Sequence, residues 1–195
     1  MSYQRIVKPK VYVDMIQPLL ENGTITGTDQ ITGTGILTTA SSIIQLFDNK
    51  PNNAVTIGGN GGTTAQNIII DTNITTDNDL LGETLFIAVL GHNLKSADAQ
   101  LKIQTDDDVN FGSAQSPAMT AGFNCETTSS SGNYARPAAD GWSLFTYTQN
   151  SDNRYQKLII DDVSTFDTDI KIGCIVWGVA FTFPSSPDMN IKRSF

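Results

Sequence analysis

Short apolar or alternating runs recur along the second half of the chain. They cover residues 85–94, 99–108, 142–149, 154–161 and 170–183. Each run is closed by Asn, Asp, Ser or Gly, and none repeats its apolar positions at helical spacing. Runs of this length, separated by turn residues, are typical of antiparallel β-sandwiches. The pattern therefore predicts an all-β fold, an antiparallel β-sandwich of jelly-roll type.

Alternation within the strands predicts which side chains are buried. We expect the following residues, or their immediate neighbours in the strand, to lie in the core: Phe86, Ala88, Leu90, Ile159, Ile172, Val176 and Phe181. Residues 110–141 are mostly small and polar and are expected to form the longest irregular region.

The beginning of the chain has a different texture from the rest. Residues 11–20 form an apolar run in which Pro18 should prevent a regular helix or a central strand. Residues 21–39 are rich in Gly and Thr and resemble a weakly self-supporting hairpin. We predict an N-terminal arm over residues 1–40, a sandwich domain over 41–183 and a C-terminal tail over 184–195. The arm is either an assembly element or a strand pair that covers the edge of the sandwich.

An arm of this composition cannot bury enough apolar surface to order itself. Its apolar residues would nevertheless be costly to leave in water. We therefore expect them to pack on a neighbouring subunit, by strand addition or in a groove, and the protein to form a homo-oligomer. These arm residues are Val11, Val13, Ile16, Leu19 and Leu20.

The charge of the chain excludes some partners. The net charge is −8, and charged residues are 16% of the chain against roughly 25% in an average soluble domain. The basic residues near the two ends flank an acidic body, which would repel DNA or RNA. No apolar stretch is long enough to span a membrane, and the first ten residues do not resemble a signal peptide. Neither nucleic-acid binding nor membrane insertion is expected.

Little in the sequence suggests catalysis. His92 is the chain's one histidine, so a catalytic triad or a histidine-based zinc site is hard to assemble. We expect it to be a strand-end histidine bonded to the backbone. The glycine-rich residues 58–64 lack the lysine of a phosphate-binding loop and should form a turn. Cys125 and Cys174 have no metal-site spacing, and whether they pair is left open. We predict that the protein is not an enzyme.

Some side chains are candidates for ligand binding. Asp106 and Asp108 belong to an acidic run after a strand, and such carboxylates at a loop could hold calcium. The run lacks a calcium-loop pattern, so solvated turn residues are the favoured interpretation, and no metal or cofactor is predicted. Trp142 lies at the mouth of a strand beside Gly141, where its ring could stack on a sugar.

The order of the apolar runs over residues 41–183 resembles the galactose-binding-like, or discoidin (coagulation factor 5/8 C-type), β-sandwich. The resemblance rests on residues 46–49 (LFDN), 68–71 (IIID), 87–93, 105–111, 153–158 and 170–178. It implies a ligand-binding loop that includes Asp48 and Asn49. Gly173 and Cys174 stand where that family often has a calcium-linked glutamate, and the tryptophan usual after the first-strand loop is absent.

The whole chain, with its PKVYVD opening at residues 9–14 and GHNL at 91–94, is also similar to small structural proteins of tailed phages, especially marine ones. This resemblance implies a non-enzymatic virion subunit of the tail, baseplate, fibre or capsid decoration. Such a subunit would be made in the host cytoplasm, and its partners would be itself and other virion proteins. The alternative is a carbohydrate-binding adhesin that recognises host surface glycans through Trp142 and the sandwich loops.

Overall fold

The computed structural model describes residues 8–26, 31–34, 40–73, 82–128, 133–149 and 153–184. These residues form thirteen strands and two six-residue helices. In chain order they are β1 Lys10–Asp14, α1 Ile16–Glu21, β2 Ile31–Thr34, α2 Ala40–Gln45, β3 Val55–Gly58, β4 Gln66–Asp71, β5 Thr84–His92, β6 Ala99–Asp106, β7 Met119–Phe123, β8 Cys125–Thr128, β9 Tyr134–Pro137, β10 Gly141–Thr148, β11 Tyr155–Asp162, β12 Ile170–Ile172 and β13 Cys174–Thr182.

The strands form two main sheets. Sheet A has the order β1-β13-β5-β10-β7, and sheet B has the order β2-β4-β11-β6-β9-β8, while β3 and β12 make a separate pair. Neighbouring strands run antiparallel in each sheet. The chain crosses from one sheet to the other at each step from β4 to β8 and again at each step from β9 to β11. Such crossing connections are typical of jelly-roll sandwiches, so the predicted fold class is confirmed.

The main core lies between the two sheets. Along β5, Leu85, Ile87 and Val89 belong to this core, whereas Phe86 and Ala88 lie on the opposite face of sheet A. The alternation follows from the two-residue period of a strand. The largest fully buried side chains include Trp177 in β13 and Tyr147 and Phe145 in β10, the two strands beside β5.

A second and smaller apolar cluster lies on the outer face of sheet A. It consists of Phe86, Ala88, Leu144 and Ala180, with Val176 partly buried against it. This cluster explains why β5 is apolar at successive positions rather than alternating with polar residues. The predicted buried positions are confirmed either directly, as for Phe86 and Ile172, or through their strand neighbours, as for Phe181, which is exposed beside buried Ala180.

Of the two interpretations of the first forty residues, the described part fits strands that cover the edges of the sandwich. Strand β1 pairs with β13, and β2 pairs with β4, so the described part of this segment contributes to both sheets. Ile16 is buried in the main core of this chain, and Leu19 and Leu20 pack against it, so the expectation that these three residues pack on a neighbouring subunit was wrong. A Gly- and Thr-rich segment can be ordered in this way because an existing sheet edge supplies its hydrogen bonds.

Two further expectations were wrong. Pro18 lies inside α1, where it is tolerated because the N–H groups of a first helical turn have no partner within the helix. The region 110–141 contains β7, β8 and β9. These strands are short. β7 pairs with β10 and β9 pairs with β6, both distant in the sequence, whereas β8 pairs with the neighbouring β9. Residues 185–195 of the predicted tail fall outside the described residues. No helix in the described part of the chain is long and apolar enough to cross a membrane.

Candidate functional site

Two exposed aromatic rings lie together on the outer face of sheet A. Phe123 and Trp142 are 49% and 43% exposed, so together they form an apolar patch on the surface. Their ring centroids are 3.8 Å apart and their planes differ by 13°, so the rings are stacked. We call this pair the aromatic platform.

Strand register brings the two rings together. Strand β7 pairs with β10 so that Phe123 is opposite Leu144, and Trp142 lies two residues before Leu144 on the same face. Gly122 allows this close approach, because a Cβ atom at that position would lie 2.8 Å from the carbonyl oxygen of Leu144. The platform therefore depends on a glycine that sequence inspection alone would assign to a loop.

Asn124 fixes the platform to the adjoining turn. Its side-chain Nδ2 donates to the carbonyl oxygens of Ala139 and Trp142, each at 2.8 Å. Its backbone φ of 50° is left-handed, a conformation that asparagine adopts more readily than most residues. Asn124 immediately follows Phe123, so a single residue ties the backbone that carries one ring to the backbone that carries the other.

His92 and Ser143 support this arrangement from the buried side. The backbone N–H of Leu94 donates to Nδ1 of His92 at 3.2 Å, which places the imidazole proton on Nε2. Nε2 then donates to Oγ of Ser143 at 2.9 Å, and Ser143 donates to the carbonyl oxygen of Asn124 at 3.0 Å. The expected backbone-bonded histidine is thus confirmed, and it stabilises the turn beneath the platform.

The charge state of this network is set mainly by burial. Burial lowers the pKa of His92 to about 4, although nearby Asp140 acts in the opposite direction, so the imidazole is neutral at pH 7. Burial would raise the pKa of Asp140, but hydrogen bonds from the hydroxyl and the backbone N–H of Ser96 outweigh it and lower that pKa. The ionised Asp140 thereby links the turn before Trp142 to the β5–β6 connection.

Asn49 lies at the same end of sheet A as Trp142. Trp142 is in register with Leu90, and Leu90 is in register with Cys174, whose thiol donates to Oδ1 of Asn49 at 3.7 Å. Two strand spacings, about 10 Å, therefore separate the strands that carry Trp142 and Cys174. Asp48 accepts the backbone N–H of Lys50 at 2.8 Å and so shapes its own turn.

Asp106 ends strand β6 of sheet B, and Asp108 follows it in a turn that both residues stabilise. Asp106 is buried and accepts the backbone N–H groups of Asp108 at 3.2 Å and Ser113 at 3.0 Å. Asp108 accepts the backbone N–H and the side-chain amide of Asn110, both at 3.1 Å. These bonds match the interpretation as turn residues. Among the described residues, no group of three or more His, Cys, Asp and Glu side chains could hold a metal ion.

The two cysteines are free thiols in the structure. Cys174 is buried in β13 and Cys125 is partly buried in β8. Burial raises the pKa of each thiol to about 11, so both remain protonated at neutral pH. Cys125 and Cys174 therefore form no disulfide with each other, and both thiols are weakly reactive.

The glycine-rich residues 58–64 form the expected turn. The backbone N–H of Gly61 donates to the carbonyl oxygen of Phe166 at 2.8 Å, and Gly62 donates to Gly59 at 2.8 Å. An open cleft of about 440 Å³ lies beside the turn, lined by Gly58, Gly59, Asn60, Gly62, Thr64, Gln66 and Asp169. Glycine and neutral polar groups dominate this lining, which therefore lacks the fixed aromatic surface found at the platform.

Sequence inspection found one of the two platform rings. The position of Trp142 at a strand mouth makes it a candidate from sequence, whereas Phe123 lies in the region predicted to be irregular. Only the strand pairing of β7 with β10 brings Phe123 onto Trp142. Asn124 and Ser143 carried no recognisable signal, since their roles depend on partners in other strands.

Comparison with known proteins adds little to this picture. No protein-family model matches the chain, and no curated protein does. Among solved structures, the chain is similar to a xylan-binding module CBM15, with 13% identity and a TM-score of 0.42, over 89% of this chain and 97% of that chain. We draw no functional conclusion from so loose a likeness. The class that the structure itself defines is an antiparallel β-sandwich with an exposed aromatic platform on one sheet.

Proposed function

We propose that the protein is a non-catalytic carbohydrate-binding protein whose aromatic platform stacks on a sugar ring. The observation that carries the proposal is the pair of exposed, mutually stacked rings, Phe123 and Trp142, held by a hydrogen-bonded turn. The face of an aromatic ring carries partial negative charge, which suits the C–H groups on the face of a pyranose ring.

The rigidity of the platform favours this function. Trp142 and Phe123 stack on each other, and Asn124 fixes their backbones at two carbonyl oxygens. A surface that is already ordered loses little conformational entropy when a ligand binds, so more of the contact energy appears as affinity. Exposed rings on a mobile loop would not have this advantage.

A glycan array followed by calorimetry with a soluble oligosaccharide tests the proposal. Trp142→Ala and Phe123→Ala should each weaken binding, roughly tenfold for the loss of one stacked ring. Phe183→Ala is a matched control, because Phe183 is also an exposed aromatic residue (42%) but lies after β13, away from the platform. Absence of glycan binding, or equal affinity in the platform variants and the wild type, would contradict the proposal.

A structural role in a phage virion is a second candidate, supported by an exposed apolar edge on sheet A. Val11 and Val13 in the outer strand β1 are 42% and 55% exposed. Such a surface suits repeated contacts between subunits. Mass spectrometry of purified virions should find the protein in many copies, and its restriction to the infected cytoplasm would argue against this role. The two functions are compatible, since a virion subunit can also bind host glycans.

A further inference from the structure

The outer strand of sheet A has a free backbone edge. In the described part of the chain, β1 pairs with β13 and with no other strand. Phe183 donates its N–H to the carbonyl oxygen of Pro9 at 3.0 Å, and Met15 donates to that of Trp177 at 2.9 Å. These two bonds show which residues of β1 are hydrogen-bonded to β13, because such residues alternate along an antiparallel pair. Odd-numbered residues of β1 direct their N–H and C=O groups towards β13, and Lys10, Tyr12 and Asp14 direct theirs away from it.

We propose that this edge binds the β1 strand of a second copy of the chain, antiparallel, with a two-fold axis at Tyr12. In this register Tyr12 is opposite Tyr12 of the partner subunit, and Lys10 is opposite Asp14 of the partner subunit. Each outward-facing residue then exchanges a pair of backbone hydrogen bonds with its counterpart, as in an ordinary antiparallel ladder. The two copies of sheet A become one continuous sheet with a self-complementary interface.

The charges of β1 select this register. Lys10 and Asp14 stand at the two ends of the strand, so a two-fold axis at its centre places opposite charges face to face twice. A shift of one residue would set outward-facing groups against inward-facing ones. A shift of two would place Lys10 opposite Tyr12 of the partner subunit and would lose both pairs of opposite charges.

The apolar residues of β1 fit the same arrangement. Val11 would lie opposite Val13 of the partner subunit on the inner face of the ribbon. Phe181 is the strand neighbour of Val11, and its ring contacts that of Phe183 at a centroid distance of 5.4 Å. Phe181 is 52% exposed, and Val13 is exposed to a similar degree. The pairing would therefore remove from water an apolar strip that the described chain leaves uncovered.

Charge exchange tests this dimer. In low salt, light scattering should give the wild type twice the 21.0 kDa mass of one chain. Lys10→Asp and Asp14→Lys should each be monomeric, because each places like charges opposite one another. An equimolar mixture of these two variants should recover a dimer containing one chain of each kind, which native mass spectrometry can identify. Lys8→Asp is the matched control, since it makes the same charge change outside β1 and should remain dimeric.

The design separates assembly from folding. Oδ1 of Asp14 also accepts the N–H of Ile16 at 3.1 Å, so Asp14→Lys could perturb α1. Recovery of the mixed dimer would show that the variant still folds. Tyr12→Pro removes an outward N–H without breaking a hydrogen bond to β13, and it should give a folded monomer by circular dichroism.

Specific results would overturn the proposal. A wild-type protein that is monomeric at every concentration measured would overturn it. This holds even if β1 is then found to bind a different protein. A dimer that persists in both single charge variants would show that the copies meet through another surface. Sugar binding by the monomeric variants bears on the platform alone, because β7 and β10 lie at the opposite side of sheet A from β1.

Discussion

Acidification should destabilise the protein through His92, the chain's single histidine. The side chain is 4% exposed, and its burial lowers the pKa from 6.5 to about 4. Nδ1 accepts the N–H of Leu94, so protonation there would remove a buried acceptor and place a charge in the turn below the platform. The folded state therefore favours the neutral imidazole.

The direction and size of the effect follow from proton binding. Between pH 6.5 and about 4, the unfolded chain holds a proton on this histidine that the folded chain does not. The free energy of unfolding must then decrease as the pH falls through this window, and it is unaffected by this group above it. A pKa difference of this size corresponds to about 3 kcal/mol, most of it lost by pH 4.

Urea denaturation of the wild type and His92→Gln from pH 7 to pH 4 measures this contribution. Carboxylates titrate in both proteins, so the difference between the two stability curves isolates the imidazole. The wild type should lose about 3 kcal/mol more than the variant over this range. The imidazole signals in NMR spectra give the pKa directly, since there is one histidine. A folded-state pKa near 6.5, or parallel stability curves, would refute the reasoning.

Two substitutions in sheet A should change stability for different reasons. Trp177 donates its indole N–H to the hydroxyl of Tyr147 at 2.8 Å, and that hydroxyl donates to Gln156 at 3.1 Å. Tyr147→Phe should therefore lower the free energy of unfolding by about 1–3 kcal/mol in urea denaturation. An unchanged urea midpoint would contradict this. Gly178→Ala would place a Cβ atom against the carbonyl oxygen of Val13, so β1 must shift. Calorimetry of Gly178→Ala should show a lower Tm, while its glycan affinity stays normal. A Tm equal to that of the wild type would mean that β1 can move away from β13 without loss of stability.

The fold class could be predicted because the strands of the core carry their own pattern. In β11, residues Leu158 and Ile160 are buried and alternate with half-buried neighbours, which is the two-residue period read from the sequence. In β5 the apolar run is continuous because both faces of the strand are covered. Such local signals do not depend on knowing the partner strand.

The platform and the N-terminal strands could be predicted only in part. Met119–Phe123 is a short strand with two small residues, and its order comes from pairing with β10, more than twenty positions later in the chain. The segment before residue 40 is ordered by strands at the far end of the chain and by β4. In both cases long-range pairing decides the structure, and local propensity carries little information about it.

The proposed dimer would make the proposed sugar binding bivalent. A two-fold axis through an antiparallel strand pair is perpendicular to the sheet, so both platforms would lie on the same face. From β10 of one copy to β10 of the other there are seven strand spacings, roughly 34 Å for a flat sheet. A long polysaccharide could bridge both platforms, and such linkage can raise apparent affinity by roughly a hundredfold or more. Lys10→Asp should therefore leave affinity for a short oligosaccharide unchanged and weaken binding to an immobilised polymer. If both proteins bind the polymer equally, the platforms act independently and the dimer has no role in binding.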